Sequence, residues 1–332
     1  MREFVNNDAV QASRSQRGGR EFESLLLHHP SPKATDGKPV REKRSTRFRP
    51  IKVARDFFIP STLNLFDIIT AMKKIGFFGA GKMAEGILSA INDKKSVIMA
   101  EKVPARAAEL SKRYGVKVVA DAREVAEKAE LIFIAVRPQD VAALAAEVKP
   151  LLRDGQTLVS IVAGKTLAKL RAAFGTKARL IRVMPNLALR AKAGMCAICP
   201  GPRTPKADVD QVSAILNGAG ATVVLKEKDF DAVTALSGSG PAYFAYMEEA
   251  MMEGGVALGL KPAVARLLAE QTMYGTAKFL RESGMELRPF IDGVCTKGGT
   301  TAAGMVKLDR PAFKKMVAAT LAAAARRSQE LA

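Results

Sequence analysis

Gly79, Gly81 and Ala84 stand in the spacing Gly-x-Gly-x-x-Ala. They follow the short apolar run Ile75-Gly76-Phe77-Phe78 and precede a segment with Ile87, Leu88 and Ile91 at helical intervals. Strand, glycine turn and helix in that order open a dinucleotide-binding unit. Gly79 makes the tight turn, Gly81 lets backbone approach a pyrophosphate, and Ala84 lets helix and strand pack closely. The N–H groups at the helix start then face the phosphate charge. Phe78, Ala80, Lys82 and Met83 complete the loop as cofactor-binding candidates. Glu101 falls at the end of the next predicted strand, where an acid accepts from the ribose 2′-hydroxyl and repels a 2′-phosphate. Lys102 and Arg106 follow closely and favour that phosphate. The cofactor expected is NADPH or NADH, with NADH accepted alongside NADPH.

Other chemistries are excluded by what is missing. Both histidines, His28 and His29, lie near the N-terminus. Ser-His-Asp hydrolysis, His-ligated metals and His-dependent 2-hydroxy-acid dehydrogenation are thereby removed from the rest of the chain. Cys196 and Cys199 form a C-x-x-C, but a strand over Met195–Cys199 points residues three apart to opposite faces. With no second such pair, no metal is expected. Three cysteines make no disulfide scaffold, and a reducing, cytoplasmic setting is expected. The net charge of +19 comes from scattered Lys and Arg with few aromatics, which reads as a solvated basic surface suited to small anions, not to nucleic acid. No apolar run is long enough to cross a bilayer.

The elements that must position these residues begin at Lys73. Residues 1–71 are rich in Arg, Ser and Pro without a sustained period, and are expected to be disordered or a non-native extension, with a short ordered piece within 51–65. From 72 to 228, short apolar strands alternate with helices. Strands are predicted at 96–100, 116–119, 131–136, 157–162, 179–183, 195–198 and 222–225, and Thr166 is placed to cap a helix. This predicts a doubly wound sheet extended by a few strands. From 229 to 332 the chain is Ala-, Met- and Leu-rich with helical spacing, and long helices are predicted at 242–258, 262–280 and 312–331. They are apolar on too many sides for an isolated bundle, so a second subunit is expected against them.

Four blocks, in order, complete the pattern: Gly79-Ala80-Gly81-Lys82-Met83-Ala84, Ala135-Val136-Arg137-Pro138, Leu236-Ser237-Gly238-Ser239-Gly240-Pro241-Ala242-Tyr243, and Gly298-Gly299-Thr300-Thr301. Met184-Pro185-Asn186 is a shorter fifth. With these, the chain from Lys73 onward resembles the pyrroline-5-carboxylate reductases. The resemblance implies a Rossmann-type α/β domain followed by an all-α dimerisation domain, and hydride transfer from NADPH or NADH to a cyclic imine acid, giving L-proline. It assigns the hydrogen bond to the imine nitrogen to Thr301. It assigns carboxylate binding to the backbone of Gly298, Gly299 and Thr300, with Thr296 keeping the hydroxyl of the family's Ser. Ala135, Val136, Arg137 and Pro138 match the family's nicotinamide end of the fourth strand, although Arg137 also reads as a plain surface charge. Ser237 and Ser239 fit a tight helix start at Pro241 better than substrate contact. Homodimers, and higher rings built from them, follow from the same resemblance.

Three departures bear on the substrate. Lys297 stands where the family usually has Pro, either beside the carboxylate or toward solvent. Leu187-Ala188 follow Asn186 where Thr-Pro is usual, and Met285-Glu286-Leu287 replace the usual Glu-His-Pro. They keep open a reductase of a related imine acid such as pyrroline-2-carboxylate or a piperideine carboxylate; a non-catalytic nucleotide-binding module is a separate alternative, and the intact Gly-Gly-Thr-Thr block argues against it. A hydroxy-acid dehydrogenase would need a Lys or His base in the linking helix, and no clear one is found.

Overall fold

The computed structural model describes residues 73–332. The expectations for residues 1–71, including the ordered piece within 51–65, lie outside the described residues. Eight strands form one sheet in the order β3-β2-β1-β4-β5-β6-β7-β8. They are β1 (Ile75–Phe78), β2 (Val97–Ala100), β3 (Lys117–Val119), β4 (Leu131–Ile134), β5 (Thr157–Ser160), β6 (Arg179–Pro185), β7 (Gly194–Pro200) and β8 (Gly220–Val224). Every pairing is parallel except β6 with β7, where Val183 opposes Ile198.

Six helices cover the two faces: α1 (Lys82–Ala90), α2 (Pro104–Tyr114), α3 (Ala122–Lys128), α4 (Val141–Val148), α5 (Leu167–Phe174) and α6 (Lys206–Asn217). On one face Ile87, Leu88, Leu110, Val212 and Leu216 of α1, α2 and α6 pack with Ile75, Phe77, Met99 and Phe133. On the other, Val125, Leu144, Val148 and Phe174 of α3, α4 and α5 pack with Phe78, Ile98, Ile132 and Leu158. Burial on both faces is why β1, β2 and β4 read as unbroken apolar runs and not as alternating ones. The rings of Phe77 and Phe133 stack across β1 and β4 with centroids 4.9 Å apart. At the N-terminal edge of the strands the buried carboxylate of Asp208 accepts from Lys73, from Thr157 Oγ1 and from Arg179 Nη1. Thr166 Oγ1 accepts from Lys169 N at 3.2 Å and caps α5.

The order reverses between β1 and β4. Their C-terminal ends form the crevice where ligands bind in open α/β sheets. The predicted strands are all present, some shorter: β4 stops at Ile134, after which Ala135 N still donates to Phe78 O at 2.8 Å while the chain peels away. After β8 the chain is helical: α7 (Phe230–Val233), a π-helical turn (Thr234–Gly238), α8 (Gly240–Ala257), α9 (Pro262–Ser283), α10 (Leu287–Val294), α11 (Thr300–Leu308) and α12 (Pro311–Leu331).

The described residues form two compact units, 73–276 with Asp309–Ala332 and Ala277–Leu308. In the first, Ser328 Oγ donates to Asp231 Oδ1 at 2.7 Å and ties α12 to α7. In the second, Phe279 and Phe290 bring the end of α9 against α10, with centroids 5.6 Å apart. No helix of the described residues is long and apolar enough to cross a membrane.

Candidate functional site

The glycine loop runs from the end of β1 into α1. Gly79 has φ +93°, a left-handed conformation that side chains disfavour. A β-carbon there would lie 2.8 Å from the carbonyl oxygen of Ala135. Gly79 N donates to Ala100 O at 3.1 Å, which sets the loop beside the end of β2. Gly81 is exposed, and a β-carbon on it would meet no protein atom within 4 Å. No side chain caps the start of α1. The first-turn amides of a helix have no intrahelical acceptor, so those of Lys82 and Met83 are offered outward. Open space over a glycine at an uncapped helix N-terminus fits a pyrophosphate. Phe78 and Ala80 are buried beneath the loop, at 0% exposure each, and support it without reaching the surface.

The neighbouring strand ends bring the other expected cofactor residues to the same crevice. Glu101 follows β2 directly, and its N–H donates to Val119 O at 2.9 Å. Its Oε1 accepts from Val103 N at 2.9 Å, so the carboxylate is fixed by its own turn. Ala135 and Val136 are half-buried against the Gly79 turn. Arg137 and Pro138 are exposed beyond them, and Arg137 Nε donates to Asp140 Oδ2 at 2.9 Å.

Beneath the loop lies a cluster that sequence reasoning missed. Glu85 of α1 is 7% exposed. It accepts from Arg106 Nη2 at 2.7 Å, Arg113 Nη1 at 2.9 Å and Tyr114 Oη at 3.0 Å. Burial pushes its carboxyl up, but hydrogen bonds from Arg106 and Tyr114, with the charges of Arg106 and Arg113, outweigh burial and hold it below the usual range. Arg106 also donates from Nη1 to Glu109 at 2.8 Å and from Nε to Ala80 O at 3.1 Å. Arg106, read as a holder of a 2′-phosphate, thus also braces the glycine loop through Nε. Lys102, the other residue so read, is exposed, with Nζ 4.0 Å from Glu147. The signal for the cluster was a lone acid, Glu85, inside an apolar helix face, with Arg106 and Arg113 two turns apart on the next helix.

In the unit Ala277–Leu308, residues 296–299 turn into the start of α11. Gly298 has φ +74°, and Gly299 N donates to Thr296 O at 2.9 Å. Of the three backbone amides expected to face a carboxylate, the Gly299 one closes this turn. A β-carbon on Gly299 would clash with Thr296 Oγ1. Thr296, Lys297, Thr300 and Thr301 are exposed, and Thr300 and Thr301 open the first turn of α11.

Asn186 follows β6. Its Oδ1 accepts from Met195 N at 3.1 Å and its Nδ2 donates to Ser237 Oγ at 3.5 Å. Ser237 lies in the π-helical turn, and Ser239 precedes α8 without a capping hydrogen bond from its side chain. Cys196 and Cys199 point to opposite faces of β7, one into each of two core clusters. Burial pushes the Cys196 thiol up to about 12. Among the described residues no group of three or more His, Cys, Asp or Glu could hold a metal ion.

Residues 74–164 match the family described as NADP oxidoreductase, coenzyme F420-dependent. Residues 227–331 match that described as pyrroline-5-carboxylate reductase dimerisation. Sheet order, glycine loop and these matches define an oxidoreductase with a Rossmann-type nucleotide domain and a helical dimerisation domain. The chain is 37% identical over 268 residues to a pyrroline-5-carboxylate reductase of Synechocystis sp., covering 78% of this chain and 98% of that one. It is 33% identical over 291 residues to one of Mycobacterium tuberculosis, covering 80% and 98%. It belongs to the pyrroline-5-carboxylate reductase family. The solved structure of such a reductase from Coxiella burnetii superposes with a TM-score of 0.76 at 27% identity, covering 78% of this chain and 98% of that one. A pyrroline carboxylate reductase of Plasmodium falciparum, solved with NADP bound, gives 0.69 at 28% identity over the same shares.

Proposed function

We propose that this protein reduces 1-pyrroline-5-carboxylate to L-proline with NADPH or NADH. The observation that carries the reading is the uncapped helix start over Gly81, set at the sheet's reversal point, in a chain that spans 98% of a relative of that name. The nucleotide role falls to 72–228 and the substrate and dimer roles to 229–332. The bound reduced nicotinamide supplies the hydride. The start of α1 holds the pyrophosphate, and Glu101 accepts from a ribose hydroxyl. Ala135, Val136, Arg137 and Pro138 border the nicotinamide.

The imine enters protonated, so no side chain need deliver a proton during the transfer. Thr301 accepts the hydrogen bond from the iminium N–H and orients the ring. The amides of Gly298 and Thr300, at a left-handed turn before a helix, are arranged as an anion nest for the carboxylate. Gly299 shapes that nest through its closure on Thr296. Homodimers form through the helical half, where Phe244, Tyr246, Met251, Leu267 and Tyr274 are exposed, and higher rings extend from them. A cytoplasmic location fits three free thiols.

The test is loss of absorbance at the reduced-nicotinamide band with racemic pyrroline-5-carboxylate. Turnover that is faster with piperideine carboxylate or pyrroline-2-carboxylate would move the assignment to those imines, and no turnover with any imine would leave a nucleotide-binding module.

A further inference from the structure

We propose that Lys297 is a further substrate-binding residue of the reductase: its ammonium, together with its own backbone N–H, holds the carboxylate of the imine acid at the turn that leads into α11. The inference rests on the reading of residues 296–301 as the imine site. It deepens that reading by adding a charged side chain to a set of amides and hydroxyls.

Three observations define the turn. Gly299 N donates to Thr296 O at 2.9 Å, a bond that closes four residues. Lys297, the second of the four, has a negative φ, because Lys192 is the one non-glycine residue with a positive φ among the described residues. Gly298, the third, has φ +74°. A negative φ followed by a positive one under such a bond is a type II turn. The closing bond uses the amide of the fourth residue. The two central amides, of Lys297 and Gly298, find no acceptor among the described residues. A β-carbon on Gly298 would meet no protein atom within 4 Å, so the space beside these amides is open. The first turn of α11 begins at Thr300, two residues beyond Gly298.

Lys297 brings the charge. It is exposed, and its side chain makes no ion pair or hydrogen bond among the described residues. Two acids of the same unit are already matched, Glu282 with Lys278 at 3.9 Å and Asp292 with Arg288 at 3.1 Å. An unpaired ammonium beside unpaired amides is a local excess of positive charge. A carboxylate arriving there gains several N–H donors and a counter-charge together. Because the lysine is exposed, the gain is that of a surface ion pair and is weakened by salt. The carboxylate keeps its charge throughout the reduction, so the ammonium holds substrate and transition state alike. Such uniform binding acts on KM and leaves kcat in place.

The experiment is steady-state kinetics of the full chain with racemic 1-pyrroline-5-carboxylate, on the unaltered protein and on Lys297→Met, Lys297→Arg and Lys297→Pro. Lys297→Met raises the KM for the imine by about two- to fivefold, the range of an exposed ion pair. Its kcat and its KM for the coenzyme do not change. Lys297→Arg returns the imine KM toward that of the unaltered protein. Lys297→Pro raises it further than Lys297→Met, since proline suits the second position of a type II turn but removes the amide along with the charge. The imine KM rises more steeply with ionic strength in the unaltered protein than in Lys297→Met. Melting temperatures check that the variants fold, and if the proline variant melts early the other two carry the decision. An unchanged imine KM in Lys297→Met, an arginine variant no better than the methionine one, or a loss confined to kcat overturns the proposal and leaves the reductase assignment standing. No turnover of any imine by the unaltered protein overturns that assignment and this proposal with it.

Discussion

The carbonyl oxygen of Ala135 stands 2.8 Å from the place that a β-carbon on Gly79 would occupy. The turn after β1 is thus held against the end of β4, and both backbone angle and space require glycine there. Gly79→Ala should destabilise the fold by about 1–3 kcal/mol, the usual cost of one residue forced into such a conformation. Calorimetric unfolding should show the loss, together with weaker nucleotide binding.

Gly81→Ala should behave differently. Its added methyl meets no protein atom, so the melting temperature should stay near that of the unaltered protein. The methyl intrudes where the pyrophosphate approaches, and nucleotide affinity should fall by about tenfold or more, about 1.4 kcal/mol. A variant that melts early with intact binding would contradict the open space described above Gly81.

Thr301→Ala should lower kcat/KM for the imine by about tenfold, the loss of one hydrogen bond to a charged group at about 1.5 kcal/mol. Nucleotide affinity should not change, and Thr301→Ser should recover most of the rate. Unchanged turnover in the Ala variant would remove this hydroxyl from the proposed chemistry.

Acid should unfold the chain through Glu85 and Asp208. For each, burial pushes the carboxyl up, yet hydrogen bonds and charges from basic neighbours win and hold it below its ordinary value. Unfolded carboxylates protonate near pH 4, and the folded ones at lower pH. Their contribution is therefore complete above about pH 4–5 and is lost as pH falls through the folded values. Denaturant titrations should give flat stability from neutral pH down to that range and a decline below it, shallower in Asp208→Asn. Stability that rises on acidification would refute the sign.

Cys196 and Cys199 should resist an aromatic disulfide reagent until denaturant is added. Both are buried, on opposite faces of β7, and burial raises both thiols. Cys295 is half-buried in the native chain and should account for any early reaction.

The glycine loop was legible because glycine there answers a local demand of backbone angle and space. The sheet was legible because burial on both faces leaves unbroken apolar runs such as Leu131–Ile134. What escaped depended on contacts between elements distant in sequence. Arg106 meets Glu85 across 21 residues and Ala80 across 26, a pairing fixed by how α2 lies against α1 and written in no local pattern. Likewise the Gly-Gly-Thr-Thr spacing marked a turn, but the bond from Gly299 N to Thr296 O, which spends one expected amide, is a matter of conformation.

The π-helical turn at Thr234–Gly238 sits between α7 and α8 and is wound looser than its neighbours. One residue in an α-helix corresponds to about 100° of rotation and 1.5 Å of advance. Deleting a single residue from this turn would therefore spin the aromatic side chains of α8 around their axis like a key cut one notch off. Family members that lengthen or shorten this short stretch would need a compensating change downstream to keep the aromatic side chains of α8 on the same face.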